Sequence, residues 1–70
     1  MNHLIDTFTH YHNGFRKDSY VMTSDAQVWT VHSIYRWDSG CFLKTEPREF
    51  TGPDGLINAR IHAERECTLP

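Results

Sequence analysis

Histidine and cysteine are the residues of this chain with the widest chemical range. There are five histidines and two cysteines among 70 residues. His10 and His12 stand two apart, so on a strand both imidazoles fall on one side. With Cys41 and Cys67 they would complete a Cys₂His₂ zinc set. The spacing argues against it, because compact zinc motifs use closely spaced CxxC or HxxxH pairs. We read the histidines as surface residues and expect no metal and no cofactor.

Nucleophilic catalysis needs a base within hydrogen-bond reach of a serine or cysteine. His32 and Ser33 are adjacent in a strand candidate, so they point to opposite faces. Neither cysteine has a basic neighbour in a turn that would lower its pKa. Glu46/Glu49 and Glu64/Glu66 read as solvated charge. The segment Gly52-Pro53-Asp54-Gly55 offers amides at a helix start, but Asp54 would repel an anion, and no phosphate-loop Lys or Ser/Thr follows. No catalytic residue is assigned, and the protein is not expected to be an enzyme.

Seven Lys plus Arg stand against nine Asp plus Glu, a net charge of −2. Nucleic-acid binders usually show a basic patch. Here Arg16, Lys17, Arg36, Lys44, Arg48, Arg60 and Arg65 are dispersed. Arg16-Lys17, near Phe15 and Tyr20, is the one basic–aromatic cluster. A sheet with exposed aromatics could stack single-stranded bases, so nucleic-acid binding is the alternative function. A protein partner is the default.

The positioning elements must fit one domain, 1–70, which reads as complete. A chain of this size buries only about 60% of its unfolded surface, so a deep pocket would compete with the core. Hydrophobic content of 39% and charged content of 23% fit a globular protein. The first residues lack the pattern of a signal peptide, and no apolar run of about 18 residues exists to span a membrane. Two cysteines are few for a secreted domain of this length. The expected location is the cytoplasm, with the cysteines reduced.

Residues 3–13 are ambiguous. Leu4, Phe8 and Tyr11 fall on a helical stripe, whereas Thr7, Phe8, Thr9 and Tyr11 favour a strand. Asn13-Gly14 would end the helix, or turn a hairpin with Tyr11/His12 facing Phe15/Arg16. Residues 19–23 read as a strand, 24–27 as a turn, and Val28–Trp37 as the longest strand. Asp38-Ser39-Gly40 turns the chain into a strand over 41–45, which Pro47 limits. Thr51-Gly52, Pro53 and Asp54 start a helix over 55–66. The fold class is α+β: a small antiparallel sheet of three to four strands with one C-terminal helix packed on one face.

By alternation, Trp29, Val31, Ser33, Tyr35 and Trp37 form the heavier face of the long strand and meet the helix. Val28, Thr30, His32, Ile34 and Arg36 form a second, partly apolar face. On the helix, Leu56, Ala59, Ala63 and Cys67 make one ridge, while Ile57 and Ile61 make another, with Arg60 and Glu64 between them.

The arrangement carried by residues 27–37, by Asp38-Ser39-Gly40 and by residues 48–63 resembles small accessory proteins of phages and other mobile elements, among them anti-CRISPR proteins. The resemblance implies a non-enzymatic protein that binds a large host protein or ribonucleoprotein complex and occludes a functional surface. The expected function is therefore a phage-encoded, protein-binding inhibitor or modulator, acting as monomer or as homodimer through a sheet edge. Its expected anchors are Tyr20, Arg36, Trp37, Phe42 and Arg48, with Arg16 and Lys17 as a charged rim.

Overall fold

A computed structural model describes residues 2–68. The elements are β1 (His3–His12), β2 (Phe15–Thr23), β3 (Val28–Trp37), β4 (Phe42–Lys44), β5 (Arg48–Thr51) and α1 (Gly55–Thr68). All strand pairings are antiparallel, and the order is β1-β2-β3-β4 with β5 also on β3. The helix packs on one face of this sheet, so the fold is α+β.

The ambiguous N-terminal segment is a strand. It pairs with β2 in the register Tyr11↔Arg16 and His12↔Phe15, around a turn in which Gly14 takes φ 81°. Pairing with β2 satisfies the backbone groups on the inner side of β1, and this outweighs the helical stripe of Leu4, Phe8 and Tyr11. β2 starts four residues before the expected 19, because the hairpin brings Phe15 and its neighbours directly into the ladder.

Sequence reasoning missed β5. β4 and β5 lie end to end along the same edge of β3. Between Ile34↔Lys44 and Val31↔Arg48, two residues of β3 face three of the other chain segment. The extra residue is a bulge around Thr45, Glu46 and Pro47. Ser33 N–H donates to Thr45 Oγ1 at 2.8 Å, and Thr45 N–H donates to Ser33 O at 2.9 Å. A side-chain oxygen thus takes over a ladder bond, and Pro47, on an outer strand, interrupts the pairing without ending it.

The helix begins where Gly52, at φ 87°, reverses the chain. Asn58 N–H donates to Asp54 O at 2.9 Å, which places Asp54 at the cap. Gly55, Ala59, Ala63 and Cys67 recur every fourth residue and are buried. These small residues let the helix approach Val21 and Val31, with Phe8, Trp29, Phe50 and Leu56 packed around them. Ser19 and Ser33, directly opposite each other, join hydroxyls at 2.8 Å beneath it. Burying each valine contributes about 1.5–3 kcal/mol. Ile57 and Ile61 lie exposed on the outer side of the helix, and Arg60 pairs with Asp6 of β1 at 3.3 Å.

Candidate functional interface

A two-layer fold leaves one sheet face without a cover. Trp29, packed on the core, and the buried Val31 and Ser33 face the helix, so alternation turns Thr30, His32, Ile34 and Arg36 away from it. The register adds Arg16, Asp18, Tyr20 and Met22 of β2, and Phe42 and Lys44 of β4. This open face is the partly apolar face expected from the alternation of β3.

Its most organised part is ionic. Arg16 and Arg36 lie directly opposite each other across β2 and β3, an arrangement that repels. Asp18 resolves it. Its Oδ2 accepts from Arg16 Nε at 3.0 Å and from Arg36 Nη1 at 2.7 Å, and its Oδ1 accepts from Thr9 Oγ1 at 2.7 Å. The Asp18 side chain is only 5% exposed, while both arginine side chains are 41% exposed. The arginine heads are therefore fixed from below and open above. The Tyr11 hydroxyl, and after it the Asp18 charge, hold the Arg16 guanidinium above its ordinary pKa.

Aromatic side chains flank this cluster. Tyr20 packs on His32 with ring centroids 5.6 Å apart, and exposed Phe42 stands directly opposite Arg36. Burial lowers the His32 pKa, with the Lys44 charge as a second cause. At the end of the sheet a cleft of about 420 Å³ runs past Arg16 and Arg36 to Tyr11, Phe15 and Trp37.

Four of the seven expected interface residues, Arg16, Tyr20, Arg36 and Phe42, come together on the open face. Trp37 is 41% exposed but belongs to the opposite face, beside Tyr35 and Phe15 at 6.2 Å from each ring. Arg48 also faces the helix side, against the ring of Phe50 at 5.5 Å. Lys17 is corrected: at 2% exposure it is no part of a charged rim. Its ammonium lies 4.8 Å from the Tyr35 ring centre and 3.9 Å from Glu66 Oε2. Alternation explains it, since Arg16 and Lys17 must face opposite ways and α1 covers the side that Lys17 takes.

Sequence reasoning passed over Asp18, Thr9 and Tyr11. Arg16-x-Asp18 on one strand was a readable signal, but the contribution of Arg36 needs the β2–β3 register. The zinc set does not assemble: Cys67 is buried and Cys41 exposed, and among the described residues no three His, Cys, Asp or Glu side chains gather to hold a metal ion. Cys67 instead donates its thiol to Lys17 O at 3.5 Å, and burial raises its pKa. The β1 edge is guarded by a register shift between Leu4 and Asp6 and by Asp6 Oδ1, which accepts from Thr7 N–H at 2.9 Å. Among the described residues no helix is long and apolar enough to cross a membrane. Compared with known proteins, the chain matches no family model, no curated protein and no solved structure.

Proposed function

We propose that the protein is a small non-enzymatic inhibitor or modulator that docks a partner protein through the open face of its sheet. The observation that carries this reading is the Arg16–Asp18–Arg36 cluster, two arginine heads held in place by a buried carboxylate and flanked by Tyr20 and Phe42. Fixed arginine and aromatic side chains lose little freedom on binding, which is the property of interface anchors. The molecule measures 39 × 23 Å in its two longer dimensions, an outline of the order of the ~800 Å² that each partner contributes to a standard interface. The mechanism is steric: the domain occupies a surface that its partner needs. The resemblance to phage-encoded proteins supplies the target class, a host protein or ribonucleoprotein complex.

The nucleic-acid reading has less support. Lys17, half of the basic–aromatic cluster behind it, is buried, and the net charge is −2.

The test is capture from bacterial lysate on immobilised protein, with and without nuclease, using wild type and a Tyr20→Ala/Phe42→Ala variant. The expected result is a stoichiometric protein complex that survives nuclease and is lost in the folded variant. Recovery that disappears with nuclease would overturn the proposal.

A further inference from the structure

We propose that Arg16 and Arg36 form a fork that receives a single carboxylate, from an acidic side chain of the partner protein. This rests on the docking reading above and specifies the chemistry of its centre.

Asp18 neutralises one of the two arginine charges it contacts, so these three groups together keep one positive charge, with Asp38 the opposing carboxylate that lines the adjoining cleft. Holding Asp18 in place needs one arginine, and the second arginine adds cross-strand repulsion. Each guanidinium has five N–H donors and gives one of them to Asp18. The buried carboxylate therefore orients both heads while most of their donors remain available. Two guanidiniums so placed match the oxygens of a carboxylate.

The surroundings strengthen such a contact. Tyr11, Phe15 and Trp37 line the adjoining cleft with the two arginines. Of these, Tyr11 is the register partner of Arg16 and shares its face, as Phe42 does beside Arg36, and these two rings would exclude water from a docked ion pair and raise its worth.

A single carboxylate fits better than a phosphate backbone. Lys17, next in sequence to Arg16, is turned under the helix and cannot extend the positive surface.

The probe is an acetylated, amidated hexaglutamate peptide, titrated against full-length protein with the Nε–Hε signals of Arg16 and Arg36 followed by NMR. Hexaglutamine and a ten-residue oligothymidylate are titrated in parallel. Both arginine signals should shift with hexaglutamate and stay still with hexaglutamine. Arg36→Gln should weaken hexaglutamate binding by about tenfold, the loss of one charge-assisted hydrogen bond. Arg36→Lys keeps the charge beside Asp18 and removes the fork, so it should also bind more weakly if Arg36→Gln fails to fold. Unmoved arginine signals would overturn the proposal, as would tighter binding of the oligothymidylate. In lysate, a partner retained by Arg16→Lys/Arg36→Lys but lost by Tyr20→Ala/Phe42→Ala would refute the fork and leave the docking reading intact. If wild type captures no protein, the docking reading fails, and the peptide titration still decides the fork.

Discussion

Gly55 lies flat against the ring of Trp29. A Cβ built on Gly55 would stand 2.8 Å from both Cε3 and Cζ3 of that ring and 3.4 Å from the Phe50 carbonyl carbon. The glycine is there for close approach, since it brings the first turn of α1 down onto the central strand. Gly55→Ala should destabilise the domain by about 1–3 kcal/mol through overpacking. For a domain of this size that lowers Tm by about 4–8 °C for each kcal/mol. A thermal melt checks it, and an unchanged Tm would mean that the Trp29 ring moves aside freely.

The β4–β5 bulge depends on one hydroxyl. Thr45→Val keeps the shape but takes away the acceptor of Ser33 N–H. An unsatisfied buried donor costs about 1–3 kcal/mol. Thr45→Ser should retain most of the stability. Urea denaturation compares the three proteins, and equal midpoints for Thr45→Val and wild type would refute the role.

Ala26 occupies the turn between β2 and β3 with φ 59°. The turn is held by Asp25 Oδ1, which accepts from Gln27 N–H at 2.9 Å, and by Thr23 Oγ1, which accepts from Ala26 N–H at 3.0 Å. A side chain in this left-handed region costs roughly 1–2 kcal/mol, part of which glycine forfeits through its freer unfolded chain. Ala26→Gly should therefore gain about 0.5–1 kcal/mol, read as a higher urea midpoint. A loss of stability would show that the turn tolerates alanine without strain.

Two histidines couple stability to pH. Burial lowers the pKa of His32 and, as the largest cause, that of His62; Glu66 opposes it at His62, and Arg48 and Arg65 reinforce it. The unfolded chain, near the ordinary 6.5, then takes up these protons before the folded one does. The contribution is fully present above 6.5 and is lost as pH falls through the lower folded values. Stability should drop as pH falls below 6.5, and the drop should be smaller in His32→Gln and His62→Gln. Ring-proton titrations locate each pKa, and a value above 6.5 for either histidine would reverse the sign.

Much of the architecture was legible because local chemistry and tertiary demand agree. Val28–Trp37 alternates as a strand must, and its observed bounds match the expected ones. Gly52, Pro53 and Asp54 mark the helix start where α1 begins. Pro47 misled, because the missing N–H that ends a central strand is tolerated at a bulge on the sheet's margin. Residues 3–13 satisfied two periodicities at once, and only the partner strand separates them.

The candidate interface divides in the same way. The types and alternation of residues in the sequence place Arg36 away from the heavy face of β3 and separate Arg16 from Lys17. They also put the helix on the heavy face of β3, but only the β2–β3 register shows that Lys17 shares that face and is buried while Arg16 stays open. The meeting of Arg16, Asp18 and Arg36 belongs to the tertiary structure alone, because it needs β2 and β3 in one register. A slip of one residue would send Asp18 and Arg36 to opposite faces. Side-chain chemistry is local to the sequence, but the cancellation of one charge by another depends on distance, and distance is set only when the strands pair.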